Sequence, residues 1–197
     1  MIVITNPSAV ANEISTIDSL FQEGLSLLHI RKPDFSEFEM AKYIHQIQLK
    51  FRSKLVLHNH HQLARDFGIN RIHFSETESK KTIDSQVTQN MILSTSTHSI
   101  EDFNALENIF EYAFLSPIFT SISKENYSPK TNLFEDLAKR ENFNTKVVAL
   151  GGIHSDNIEK SLQNGFDNIA LLGTIWNSPS SIKNFKQCQK VALSLLA

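Results

Sequence analysis

Eight short runs of apolar and β-branched residues recur along the chain: Ile2 to Thr5, Leu27 to Arg31, Leu55 to His58, Arg71 to Phe74, Met91 to Thr95, Tyr112 to Leu115, Lys146 to Leu150 and Asn168 to Leu172. Runs of this length predict strands buried on both faces. Between them the spacing becomes helical. Ile14, Ile17, Leu20 and Phe21 share one face before Gly24. Met40, Ile44, Ile47 and Phe51 share another, behind Ser36 and Glu39 at capping-box spacing. Leu63, Ala64 and Phe67 precede Gly68, Ser99 and Asp102 offer caps for the helix after the fifth strand, and Ile158 and Leu162 precede Gly165. A closing helix is predicted over roughly Ser180 to Leu196. Ser75 to Asn90 is polar and poorly periodic, and Ser116 to Lys130 is the longest irregular stretch.

Strand and helix alternating eight times implies parallel strands joined by right-handed crossovers. The expected fold is α/β, a compact (β/α)₈ TIM barrel forming a single domain over residues 1–197. An open doubly wound sheet is the alternative. Composition adds exclusions. A net charge of −2 offers no basic field for nucleic acid, and 41% hydrophobic with 20% charged residues describes a soluble globular chain. Cys188 is the single cysteine, so no internal disulfide framework exists and a reducing compartment is expected. The N-terminal MIVITNP lacks the pattern of a signal peptide, and no stretch is long enough to span a bilayer. The expectation is a cytoplasmic enzyme acting on small molecules, with self-association left open.

In a parallel barrel, chemistry gathers at the carboxyl ends of the strands. Those ends carry His29 and Arg31 on one face of the second strand, then His58 and Asn59 followed by His60 and His61. The fourth strand carries His73, with Glu76 and Glu78 just beyond. Ser94 to His98 close the fifth strand, and Ser116-Pro117 leads on to Ser121, Ser123 and Lys124. Gly151, Gly152 and Gly173 end the last two strands. Glycine turns there let backbone N–H groups approach an anion. Cations, hydroxyls and glycine backbone on one rim suit a phosphorylated small molecule. Blander readings exist: Arg31 pairing with a carboxylate, Lys124 as a solvated charge, or His58-x-His60 as half of a zinc site.

Four stretches, LLHIRKP, STSTHS, SPIFTSISK and ALGGI with GFDNIALLGTI, resemble in order and spacing the thiamine phosphate synthase and thiazole tautomerase family of compact barrels. The resemblance implies that Arg31 binds a diphosphate, aided by Lys124, Ser121 and Ser123. It implies Ser96 and His98 as the Ser-x-His segment common to both branches. Gly151, Gly152, Leu172 and Gly173 would cradle a thiazole phosphate, with His29 and His58 also in the substrate site. A synthase joins a pyrimidine diphosphate ester to a thiazole phosphate, using magnesium, whose ligands here would be Asn59 and Glu78. A tautomerase moves a proton on a carboxylated thiazole phosphate without metal, and His98 would carry that step, with His29 as a candidate second group. Departures are visible. Pro33 stands where synthases carry lysine, with Lys32 turned to the other face. Asn59 and Glu78 replace aspartates, and His29 replaces glutamine. A synthase is the leading expectation, ahead of a tautomerase and of a degenerate member that only binds the thiazole phosphate.

Overall fold

The computed structural model describes residues 1–81, 83–120 and 132–195. All eight strands form: β1 (Ile2–Ile4), β2 (Leu27–Ile30), β3 (Leu55–Leu57), β4 (Arg71–Phe74), β5 (Ile92–Thr97), β6 (Phe110–Leu115), β7 (Lys146–Leu150) and β8 (Asn168–Leu171). They pair in parallel, each with its neighbours in sequence, and β8 returns to β1 to close the barrel. The open-sheet alternative is thereby excluded. Alternation along each strand separates two cores. Ile2, Ile4, Tyr112, Phe114, Val148 and Ala170 fill the barrel interior. Val3, Leu28, Ile30, Leu57, Ile72 and Ala149 face outward, packing with helix residues such as Ile17, Leu20, Met40 and Phe185.

The helices are α1 (Glu13–Gln22), α2 (Glu37–Gln46), α3 (Leu63–Asp66), α4 (Glu76–Ser79), α5 (Ser85–Thr88), α6 (Ile100–Asn104), α7 (Leu133–Leu137), α8 (Ile158–Gln163), α9 (Gly173–Trp176) and α10 (Ser181–Ser194). Ser36 and Glu39 form the expected capping box on α2. The polar stretch after β4 becomes two single turns, α4 and α5, neither with a buried residue. Without an apolar stripe to dock, neither turn lengthens. β5 runs two residues past its expected end at Thr95. Ser96 and Thr97 pair with Phe114 and Leu115 of β6, and the Thr97 hydroxyl donates to the Phe114 carbonyl at 3.1 Å. No helix among the described residues is long and apolar enough to cross a membrane.

Two contacts tie the start of the chain to later elements. Lys32, fully buried on the outer side of the sheet, ion-pairs with Glu13 at 2.7 Å and donates to the carbonyls of Asn6 and Ser8. That ammonium has four oxygens around it, so its burial is satisfied. At the seam, β1 and β8 share only two register pairs, Ile2 with Ala170 and Val3 with Leu171. The indole N–H of Trp176 adds a bond to the Ile4 carbonyl at 2.6 Å.

Candidate active site at the carboxyl mouth of the barrel

A cavity of about 380 Å³ opens at the carboxyl ends of the strands, within the range of small-molecule sites. It brings together nine of the expected residues: Arg31, His58, Asn59, Ser96, His98, Gly151, Gly152, Leu172 and Gly173. His29 and Glu78 do not line it. Ser121, Ser123 and Lys124 lie outside the described residues.

The glycine side is built for close approach. Gly152 has φ +65°, and a Cβ there would sit 2.7 Å from the Phe119 Cβ and also meet the Thr120 carbonyl. Gly151 has φ +101° and would place a Cβ 2.9 Å from the Pro117 Cα. Asn157 holds the turn by donating its amide to the Gly152 carbonyl at 2.9 Å. Across the next turn, Gly173 and Thr174 open α9, where the first N–H groups have no carbonyl of their own helix to bond. These contacts pack the Gly151-Gly152 turn against the segment from Pro117 to Thr120, and Gly173 lines the same cavity. On a separate arc of the rim, Arg31 is anchored by its backbone: its N–H donates to the Thr5 hydroxyl at 2.9 Å, which in turn donates to the Arg31 carbonyl at 3.2 Å. Arg31 makes no ion pair among the described residues, so its charge is available to a ligand.

Beneath the cavity lies a group of histidines. His29 is wholly buried, with Nδ1 2.9 Å from His58 Nε2 and Nε2 2.6 Å from the Tyr112 hydroxyl. His73 sits between the hydroxyls of Ser94 and Ser96, each at 2.9 Å, and stacks on His58 with centroids 4.1 Å apart. Burial, reinforced by neighbouring positive charge, lowers the pKa of all three: His29 and His58 well below the ordinary imidazole value, and His73 to about 3. They are neutral rings. Their nitrogens come within 4.8 Å of one another, close enough to pose the question of a metal. All three have hydrogen-bond or ring partners within the protein, and Arg31 and Arg71 add positive charge nearby. The arrangement suits hydrogen-bonded neutral imidazoles. His60, the other half of the zinc alternative, is engaged with the Phe35 carbonyl at 2.7 Å and is not part of the group.

At the rim, His98 Nδ1 donates to the Ser116 carbonyl at 2.7 Å. In the neutral ring this leaves Nε2 as the basic nitrogen, 3.7 Å from a Glu76 carboxylate oxygen. Glu76 also pairs with Lys80 at 2.7 Å, and Lys80 reaches Asp102 at 2.8 Å. These two carboxylates raise the Lys80 pKa to about 12.

The expected magnesium pair is split by a helix cap. Glu78 accepts hydrogen bonds from the backbone and hydroxyl of Ser75, at 2.8 and 2.6 Å, as the returning arm of the α4 capping box. Glu76, two residues earlier, is the carboxylate that lines the cavity. Asn59 donates its amide to the Lys32 carbonyl, which leaves Oδ1 buried with no partner among the described residues. Magnesium uses one or two carboxylates together with substrate phosphates. Asn59 Oδ1 and Glu76 are a donor set of that kind. The capping spacing of Ser75 and Glu78 was the sequence signal for this exchange. Tyr112 was hidden inside an apolar run, though its parity with Phe114 marks it as interior.

A family model described as thiamine monophosphate synthase matches residues 1–175. The thiamine-phosphate synthase of Dictyoglomus turgidum is 26% identical over 173 residues, covering 85% of this chain and 77% of that protein. That of Clostridium tetani is 27% identical over 158 residues, covering 77% and 75%. Among solved structures, a thiamine phosphate pyrophosphorylase from Bacteroides thetaiotaomicron aligns with TM-score 0.77 at 28% identity, over 98% of this chain and 96% of that one. Its counterpart from Pyrococcus furiosus reaches 0.82 at 18% identity, over 100% and 96%, which speaks for the fold alone. The closed barrel and a match along most of the sequence converge: the chain belongs to the thiamine monophosphate synthase family.

Proposed function

We propose that the chain is a thiamine phosphate synthase, joining a pyrimidine diphosphate ester to a thiazole phosphate and releasing pyrophosphate. The observation that supports this reading is that Gly151, Gly152 and Gly173 line one cavity with Arg31, two candidate anion-holding sets on separate arcs. A condensation of two phosphorylated substrates needs both. The glycine set, with Leu172 beside it, holds the thiazole phosphate. Arg31 meets the diphosphate and stabilises the negative charge that grows on it as the C–O bond breaks. We assign Ser121, Ser123 and Lys124 to the same anion, on the resemblance of their loop. Asn59 Oδ1 and Glu76 would hold magnesium. Held there, it would supply positive charge toward the departing pyrophosphate. Incubation with both substrates and magnesium should release pyrophosphate and form thiamine phosphate; absence of product sinks the reading. Glu76→Gln should raise the magnesium requirement, whereas Glu78→Gln should leave it unchanged.

The geometry of His98 favours a second reading. A ring whose Nδ1 is tied to a carbonyl and whose Nε2 faces a Glu76 carboxylate oxygen at 3.7 Å suits a general base for proton transfer in a thiazole tautomerase. Solvent proton exchange into the carboxylated thiazole phosphate, lost in His98→Ala, would support it.

A further inference from the structure

We propose that Tyr112 and His29 are positioning residues that fix His58 with its proton on Nδ1, so that His58 offers the cavity a hydrogen-bond donor rather than an acceptor. The proposal rests on the cavity being the substrate site, not on which reaction occurs there.

The inference follows from counting protons along a buried chain. His29 has no exposure, and each of its nitrogens has one partner: Tyr112 Oη at 2.6 Å and His58 Nε2 at 2.9 Å. No carboxylate takes part in these bonds, so each ring carries one proton. Only two directions are then open. Either the phenol donates to His29, or His29 donates to the phenol. A phenol is a strong donor and a poor acceptor, because its lone pair is conjugated with the ring, while an unprotonated imidazole nitrogen is the best base present. The 2.6 Å separation is typical of a hydroxyl donor and short for an N–H donor. Tyr112 therefore donates to His29 Nε2. The His29 proton must then lie on Nδ1, and it is donated to His58 Nε2. His58 is left with its single proton on Nδ1, which has no partner among the described residues, on a ring that lines the cavity.

The chemical consequence is selectivity. The polar group that His58 can turn to a guest is an N–H, so it recognises a lone pair, such as a ring nitrogen or a carbonyl, phosphate or carboxylate oxygen. An ammonium or other group that can only donate finds no partner there. Tyr112 never touches the ligand and acts through two rings.

The test is long-range hydrogen–nitrogen correlation NMR on ¹⁵N-labelled protein without ligand, at neutral pH, with the His58 signals assigned by their loss in His58→Asn. The expected pattern places His58 Nδ1 among protonated ring nitrogens and Nε2 among unprotonated ones; the reverse overturns the proposal. In Tyr112→Phe the two shifts should move toward each other as the preference is lost, and unchanged shifts would remove Tyr112 from the relay. Adding the pyrimidine diphosphate ester should move the proton on Nδ1 downfield. No movement, or movement confined to Nε2, overturns the donor role. The ligand-free spectrum stands whether or not the protein turns over substrate, so it fails or succeeds independently of the synthase reading.

Discussion

Acidification from pH 7 to pH 5 should cost this fold a large part of its stability, because the barrel interior holds imidazoles it cannot charge. The folded-state pKa of His73 is lowered to about 3 and that of His29 falls well below the ordinary value, in both cases chiefly through burial. In the unfolded chain both titrate near ~6.5. Above that pH neither state binds a proton on these rings, and their contribution to stability is complete. Below it the unfolded chain gains a proton on each ring and the folded chain does not. Stability is therefore lost as pH falls from about 6.5 toward the folded value. Integrated from pH 7 to pH 5, the His73 ring costs about 2 kcal/mol, and His29, shifted in the same direction, adds to it. His58, lowered in the same direction, adds to this loss. A typical domain has only ~5–15 kcal/mol to lose. Urea melts at half-unit intervals of pH, analysed at constant m-value, measure the effect. His73→Gln should flatten the pH profile by about one proton's worth of slope. A wild-type change below about 1 kcal/mol over this window would refute the claim that the interior stays neutral.

Three further outcomes follow from other parts of the molecule. Lys32→Met should destabilise by about 3–5 kcal/mol in urea melts, since Glu13 is left buried without its cation, and adding Glu13→Leu should restore much of the loss. Gly152→Ala should cost at least about 1 kcal/mol, from positive φ and a crowded Cβ, and should weaken binding of thiazole phosphate in calorimetry. Unchanged affinity would remove the glycine turn from the phosphate site. Arg31→Ala should weaken inorganic pyrophosphate binding by about 10–100-fold, the worth of a charge-assisted hydrogen bond; equal affinity would place the diphosphate elsewhere.

The strands were legible because a parallel sheet covered on both faces writes itself as unbroken apolar runs. The rim was legible for the same reason: the residues that stop each run are the ones that line the cavity. What the sequence hid depends on register between strands. His29, His58 and His73 were each visible at a strand end, but only the pairing of β2 with β3, β3 with β4 and β4 with β5 makes them one hydrogen-bonded group with Tyr112 and Ser94. Which of Glu76 and Glu78 lines the cavity turned on a competition that motif matching does not weigh. A carboxylate three residues after a serine is drawn into capping a helix before it can serve a ligand. The overrun of β5 was masked by its hydroxyl residues, which read as a polar terminus although Thr97 is buried.

The seam between β1 and β8 carries a consequence for biosynthesis. Ile4 and Trp176, joined by one hydrogen bond, are 172 positions apart. A chain made from its N-terminus can stack β1 to β7 as they emerge, but β1 keeps an unpaired edge throughout. Ile2 and Val3 meet their β8 partners, and Ile4 its Trp176 bond, only when the last fifth of the polypeptide leaves the ribosome. Until then the nascent barrel is an open trough with a sticky rim. Late-arriving sequence, not early folding, decides whether this chain closes its barrel or pairs its open edge with another chain.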